Sequence, residues 1–509
     1  MAMAKPTVVL LPVWASGHFT AALEAGKRLV AVLGTADFSL TVLVMRPPTP
    51  ESTSQVAAHV ARGAAAAEPI GCEVSFHHLP AVDAPTGCTS VEHFTSQYIH
   101  LHAPHVRAAV AALPAPAAAL VVEFTSTTMF DVARELGIPA YVYFASSAAM
   151  LAVMLQLPAL DDVMPEEFGE MEEGQHVPVQ GLPPVPASCM PASVMSRKSP
   201  SYADTVYHGR RLAEASGIIV NTAAELEPAV LAAINEGQCT GGRPSPPVYP
   251  IGPVIPLADA TSGDDECVRW LDVQPRASVV FLCFGSLGFL NAEQVREAAA
   301  GLERSGQRFL WVLRSSSPAA ATATATVHPL AELLPQGFLD RTKDRGLVWT
   351  SWAPQREVLA HHAVAGFVTH CGWTSVIEAL WSGVPMAPWP LYAEQHLNAF
   401  ELVASMGVAV RMDVDRKRNN FVDAGEVARA VRCLVSGGGG EEEEGRRARE
   451  RASEMRDACR SAVAQGGSSF ASLQGAAAAV RHRLEARVDE QLRLPPRLST
   501  GTTILHGGD

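Results

Sequence analysis

Apolar residues along this chain fall into two patterns. Short unbroken runs, VVLLPV near the start and then SLTVLVM, VSFHHL, ALVVEF, AYVYFA and GIIVNT, have the length and composition of strands buried on both faces. Between them lie segments of helical spacing, among them a helix from about residue 19 to residue 33, HVRAAVAAL, FDVARELG and AAELEPAVLAAIN. Such alternation predicts a mostly parallel sheet with helices on both faces. At VYPIGPVIPLADATSGDDE the pattern breaks into Pro, Gly and acidic residues, which predicts a linker over 251–265. A second series then begins with SVVFLCFGS, AEQVREAAAGLE and RFLWVLR. The segments SSSPAAATATATVHP and GGGGEEEEG read as solvated loop insertions, and the amphipathic stretch over 467–491 as a last helix. Residues 492–509 lack periodicity and read as a disordered tail. The fold class expected is α/β: two doubly wound, Rossmann-like domains, 1–250 and 266–466, facing each other across a cleft.

Composition narrows the partners. A chain of 509 residues is too long for one ordinary core, which agrees with two domains. The formal net charge is −13 and no basic stripe is visible, which argues against a nucleic-acid partner and leaves small molecules. No run of 18 or more apolar residues occurs, so no membrane-spanning helix is expected. The first apolar run is short and interrupted by Pro12, which suits a strand better than a secretory signal. Nine scattered cysteines without a CxxC pair suggest free thiols in a reduced, cytoplasmic setting.

The chemistry concentrates between Trp352 and Gln395, in WAPQREVLAHHAVAGFVTHCGWTSVIEALWSGVPMAPWPLYAEQ. It has a βαβαβ rhythm, with polar residues at strand ends and helix starts, where open α/β sheets bind ligands. His370, Gly372, Thr374 and Ser375 lead into the helix of SVIEALW, whose amides and dipole suit an anion. Gly285 and Ser286, at another strand end, offer a second set of amides. Ser375-x-x-Glu378 reads on its own as a capping box. His18, after Gly17 at the end of the first strand, is the best candidate for a base at neutral pH. Glu123, closing ALVVEF, is the acid placed to steady it. Asp131 is the fallback, but Arg134 stands at helical spacing from it. The dense histidines of HLHAPH have no accompanying carboxylate and carry Pro104, so no metal site is assigned there.

From WAPQ through HCGW to EQ, the 44 residues closely resemble the signature box of plant family 1 UDP-glycosyltransferases, and the resemblance extends over most of the chain. It implies the GT-B arrangement, with the acceptor in the first domain, the UDP-sugar in the second, and the last helix packing back on the first. It implies that His18 is the catalytic base and that Glu378 holds the ribose. It further implies that Trp352, with Ala353 and Gln355, receives the uracil, and that Trp373, Glu394 and Gln395 line the sugar pocket. The UDP-sugar is a co-substrate and no separate cofactor or metal is implied.

Two departures stand out: Glu123 where the family has Asp, and Thr374 where it usually has Asn. A Glu at that place reaches His18 only if the space accepts one more methylene, and Glu123→Asp is then expected to be tolerated or to improve the rate. The reading is an inverting transfer of glucose from UDP-glucose to a hydroxyl of a flavonoid-like phenol by a monomer. C-glycosyl or glucose-ester transfer on the same scaffold, and a UDP-sugar-binding protein of weak activity, are the alternatives.

Overall fold

The computed structural model describes residues 5–67, 71–164, 166–172, 174–255, 265–314, 330–435 and 440–493. The insertion read as SSSPAAATATATVHP and the tail from 494 lie outside the described residues, as does most of the linker. The strands in chain order are β1 (Thr7–Leu11), β2 (Ser39–Val44), β3 (Val74–His78), β4 (Ala117–Glu123), β5 (Ala140–Phe144), the short β6 (His176–Val177) and β7 (Val185–Pro186), β8 (Gly217–Val220) and β9 (Val248–Pro250). They continue with β10 (Val279–Cys283), β11 (Arg308–Val312), β12 (Gly346–Trp349), β13 (Val364–Thr369) and β14 (Met386–Pro388).

Two parallel sheets result. One has the order β3-β2-β1-β4-β5-β8-β9 and the other β12-β11-β10-β13-β14; β6 and β7 form a separate antiparallel pair. In each large sheet the order reverses beside the first strand, between β1 and β4 and between β10 and β13. At such a reversal the loops leaving neighbouring strands diverge to opposite faces and open a crevice at the carboxyl ends. His18 follows β1, Glu123 closes β4, Ser286 follows β10 and His370 follows β13. All four thus stand at the two crevices.

Successive residues of the central strands feed opposite cores, as a period of two requires. Val9 and Leu11 pack with Val122 and Val142 on one face of the first sheet, and Val8 and Leu10 pack with Phe19, Tyr141 and Tyr143 on the other. Val279 and Phe281 separate from Val280 and Leu282 in the second sheet in the same way.

Several local readings shift. β3 is a half-exposed edge strand rather than a buried run. The VYP segment, read at the head of the linker, is β9 and pairs with β8. The first helix is Ser16–Leu33, so His18 sits within its first turn. The acidic run of GGGGEEEEG enters the helix Gly440–Val463, where Glu443 pairs with Arg446 and Arg447, because alternating charges at helical spacing stabilise the turn. Pro104 does break the histidine segment, into Val91–Leu101 and Ala103–Ala111.

The last helix, Ser468–Arg493, returns to the first sheet. Leu473, Ala476, Ala477, Val480 and Leu484 join the core around Val8 and Leu10, and Ser469 Oγ donates to the Gly252 carbonyl at 2.6 Å. The first helix holds the connecting segment from the other side: Arg28 Nη1 and Nη2 donate to the carbonyls of Pro253 and Ile255, both at 3.0 Å. Ending the chain at Gly467 uncovers this apolar face. The expected loss is about 5 kcal/mol or more of stability, read as a lower denaturation midpoint, with apolar-dye binding reporting the exposed face.

Candidate active site

His18 Nδ1 meets Glu123 Oε2 at 2.6 Å, and Glu123 Oε1 accepts from the Val13 amide at 2.9 Å. The carboxylate is 1% exposed, whereas the His18 side chain is 43% exposed, so one edge of the ring is held in the protein and the other faces the cleft. Burial of the held edge opposes the charged imidazolium, but the charge and hydrogen bond of Glu123, with the charge of Glu394 beyond, outweigh it and push the pKa up to about 9. The longer Glu side chain therefore spans the space. Asp131 is taken by Arg134 Nη1 at 2.8 Å and Arg211 Nη2 at 3.0 Å, on the surface, and has no part in this site.

Facing this pair is the helix Trp373–Ser382. Its N-cap is Gly372, no side chain caps it, and its first turn carries no acid, so its leading amides and positive dipole end are open to an anion. The capping-box reading of Ser375 and Glu378 falls here, because both lie inside the helix. Gln355 Nε2 instead donates to Ser375 Oγ at 2.9 Å and to Glu378 Oε2 at 2.7 Å. Burial pushes the Glu378 carboxyl up to about 7 against the opposing Gln355 bond.

The two helix starts meet. A Cβ on Gly17 would lie 3.5 Å from Thr374 Oγ1, which brings the first turn carrying His18 against the first turn of the helix Trp373–Ser382. His370 is 6% exposed, and burial holds its imidazole neutral, with the pKa lowered to about 4. A Cβ at Gly372 or Gly285 would come within 2.5 or 2.6 Å of His370 Nε2, so the ring lies against both loops and both positions must be glycine. Gly285 also has φ 73°, where a side chain is strained. Arg314 Nη1 donates to the Ser286 carbonyl and fixes the same loop.

Among the described residues five non-glycines adopt left-handed backbone, and two of them, Cys371 at φ 65° and Ala393 at φ 53°, stand in this region. Such conformations persist only where surroundings hold them. Asn398 Nδ2 donates to the Cys371 carbonyl at 2.9 Å, and the Ala393 carbonyl accepts from the Ala192 amide of the first domain at 2.7 Å.

A model of the UDP-glucoronosyl and UDP-glucosyl transferase family matches residues 259–433. A malvidin galactosylase of Oryza sativa subsp. japonica is 54% identical over 476 residues, covering 93% of this chain and 97% of the relative. An anthocyanidin 5,3-O-glucosyltransferase of a Rosa hybrid cultivar is 37% identical over 482 residues, 92% of this chain and 98% of the relative. The solved structure of Phytolacca americana UGT2 with UDP-2fluoro-glucose and pterostilbene aligns with a TM-score of 0.78 at 34% identity, over 94% of this chain and 100% of that one.

The chain belongs to the UDP-glycosyltransferase family.

It is a glycosyltransferase of the plant GT-B type, with a UDP-sugar as co-substrate. Within this glycosyltransferase the remaining expected residues divide. Trp352 is 67% exposed, a free indole face at the cleft end of its strand, and Ala353 is buried at 7% behind it. Glu394 Oε1 accepts from Ser146 Oγ of the first domain at 3.3 Å. Gln395 Oε1 accepts the amides of Leu391 and Tyr392 at 2.8 and 3.0 Å, so that oxygen shapes the loop and is already engaged there. Trp373 departs furthest from the expectation that it lines the sugar pocket. Its side chain is 3% exposed in the second core, and its indole N–H donates to the Asn221 carbonyl of the first domain at 2.7 Å. His102 is fully buried with Nδ1 on the Tyr98 carbonyl at 2.9 Å, a structural histidine.

Asn221 and Asn398 were not legible in the sequence, because each acts through backbone groups brought close only by folding. Asn221 Oδ1 accepts from Val254 N at 2.7 Å while its carbonyl takes Trp373, so one strand-end residue fixes both the connecting segment and the helix Trp373–Ser382. Replacing Glu123 by Gln keeps an acceptor but removes the charge and leaves burial, the largest influence on the ring, less opposed, so His18 should titrate about two pH units lower or more, at or below the ordinary histidine value. A proton-NMR titration of the ring signals, with His18→Ala for assignment, checks this.

Proposed function

We propose that His18 takes the proton of an acceptor hydroxyl while its oxygen attacks the anomeric carbon of a UDP-bound hexose, displacing UDP with inversion. The observation that carries the reading is the His18–Glu123 contact at 2.6 Å set against an uncapped helix start. A base and a diphosphate cradle must lie that close for an in-line transfer. Glu123 holds the ring by Nδ1 and leaves Nε2 for the acceptor when the ring is neutral, and it stabilises the imidazolium that forms; with a pKa pushed up to about 9 the neutral base is the minority form at neutral pH, so turnover should rise as pH climbs toward that value.

The leaving diphosphate rests on the amides of Trp373, Thr374 and Ser375, with the neutral His370 donating one further bond. Thr374 supplies a hydroxyl where the family usually has an amide. Glu378 takes the ribose hydroxyls, Trp352 stacks on the uracil, and Glu394 takes hydroxyls of the sugar with Gln395 beside it. The halves of the chain divide accordingly, the first holding the acceptor and the second the donor. In the same domain as His18, the half-buried Trp14 and Phe94 pack on the buried Tyr98, Trp14 edge-on with centroids 5.3 Å apart and Phe94 stacked at 5.6 Å. Phe124 follows Glu123 directly and tilts against Phe144 at 5.0 Å. These rings favour a flat aromatic acceptor, in keeping with relatives named for malvidin, anthocyanidin and phloretin.

UDP-glucose is the donor we assign on the resemblance, and UDP-galactose is the competitor to test, since a relative of 54% identity is named a galactosylase. Both halves of the site come from one chain, which supports action as a monomer. No helix among the described residues is long and apolar enough to cross a membrane, and a cytoplasmic location is our reading.

His18→Ala should lower turnover by roughly two to four orders of magnitude with UDP affinity nearly unchanged; a parallel loss of UDP affinity, measured by calorimetry, would sink the assignment. The geometry at Glu123 supports the opposite expectation for Glu123→Asp. Glu123 already meets both His18 and the Val13 amide, so a side chain one methylene shorter must give up one of them. Turnover in Glu123→Asp should fall about tenfold or more, and Glu123→Gln should fall further. His370→Ala should weaken UDP binding by about 1.5–3 kcal/mol through the lost bond to phosphate, with activity insensitive to EDTA.

A further inference from the structure

A pair of carboxyl groups unused by the transfer chemistry also joins the two domains. Glu227 precedes the helix Pro228–Asn235 in the first domain, and Glu401 lies on the helix Gln395–Ala404 in the second. They are 3% and 1% exposed and lie within hydrogen-bond reach of each other. Glu227 is held by two donors: Oε2 accepts the Ala148 amide at 3.0 Å and Oε1 the Ala149 amide at 2.7 Å. Those amides begin the helix Ala148–Val163, whose positive end favours an anion. Glu401 has no such set. Its Oε2 is buried without a donor of its own, and among the described residues no Lys, Arg or His acts on either carboxyl.

Two buried anions in contact without a cation are not tenable, so one carboxyl must be neutral. The donor count says which. Glu227 is the acceptor, and burial with the neighbouring Glu227 charge pushes the Glu401 carboxyl well above the usual range.

The pair stands in a longer seam. Glu394, Asn398 and Glu401 are spaced by four and three residues and so lie on one side of the helix Gln395–Ala404 and its leading turn. Ser146 Oγ donates to Glu394 Oε1 and Ser147 Oγ to Asn398 Oδ1, each at 3.3 Å, and both serines immediately precede the amides that Glu227 holds. The residue at the head of the seam is the one read above as meeting the sugar.

We propose that Glu401 carries a proton that it donates to the Glu227 carboxylate, and that this shared proton makes the two glutamates positioning residues for the transfer: it holds the helix behind Glu394 against the acceptor domain, in the register that presents Glu394 to the donor sugar. Neither glutamate touches substrate. The kinetic consequence rests on the reading of Glu394; the shared proton does not.

The titration has a definite sign. A carboxyl that keeps its proton in the folded state and loses it near pH 4.3 in the unfolded chain contributes stability that is full below about pH 4 and is lost as pH rises through the folded value. The groups facing the pair are the carboxyls themselves, Thr222 and the two amides; His396 on the same helix stays neutral, with burial lowering its pKa to about 4, and its Nε2 meets Asn420 Oδ1 at 2.8 Å. His18 also has a raised value and contributes in the same direction, so the comparison must be made between proteins that both retain it.

Glu401→Gln puts an uncharged N–H donor where the proposal places the O–H. Melting temperatures of the parent and of Glu401→Gln, followed from about pH 6 to about pH 9, should diverge, the parent losing roughly 3–6 °C more. At neutral pH, Glu401→Gln should keep parental kinetics. Glu401→Ala should raise KM for the UDP-sugar about tenfold and leave the Kd of UDP alone within about twofold, because UDP rests on the other helix. Melting curves that run parallel across this range overturn the shared proton, and an unchanged KM in Glu401→Ala overturns the positioning of Glu394 by it. Should Glu401→Ala fail to fold, the melting comparison with Glu401→Gln still decides. An error in the His18 assignment would leave the melting divergence in place, and parallel melting would leave the His18 assignment in place, so the two readings fail separately.

Discussion

A carboxylate 1% exposed survives in the interior only when its oxygens are paired, and Glu123 has both occupied, one by the Val13 amide and one by His18. The rest of the site depends on this. The bond to Val13 fixes the path of the chain as it leaves β1, and so the point at which the first helix starts. The bond to His18 fixes the ring, and the raised affinity for a proton follows from the same contact. Because Glu rather than Asp fills the position, the geometry is matched to the longer side chain.

Opposite this pair, the second domain presents a helix start without a cap, which in an ordinary helix is a defect. Its leading amides are left for a ligand, and neighbouring residues keep the approach clear. Gly285 and Gly372 leave room for the buried His370 ring, and Thr374 lies beside Gly17 from the other side. The backbone at Cys371 and Ala393 is strained, and in each case a hydrogen bond from another element holds it. The cost of these conformations is borne where the two domains meet.

The contacts between domains have a common character. Trp373 on Asn221, Ser146 on Glu394, Ser147 on Asn398 and the two carboxyls of Glu227 and Glu401 are polar contacts in largely dry surroundings. Apolar surfaces tolerate sliding; buried hydrogen bonds do not, since a lost partner leaves a desolvated group behind. Two domains that meet through their helix starts and strand ends need that kind of register.

The alternation of apolar runs and helical segments determined the α/β class and the two parallel sheets, because strands buried on both faces must read as unbroken apolar runs. It placed His18, Glu123, Ser286 and His370 at strand ends, and a parallel sheet collects those ends along one edge. Edges and boundaries were less legible: β3 reads as buried although it lies at the rim, and VYP reads as linker although it pairs, since pairing depends on a neighbour distant in sequence. Only the tertiary structure decided that Glu123 reaches His18, that Trp373 turns its indole into the core and that Ser375 and Glu378 serve Gln355 instead of capping a helix. It alone revealed the seam through Asn221, Asn398, Glu227 and Glu401. Local sequence determines what a residue can donate, accept or bury; which partner it meets is set by chain folding over a hundred or more residues, and a buried polar side chain has no meaning until that partner is in place.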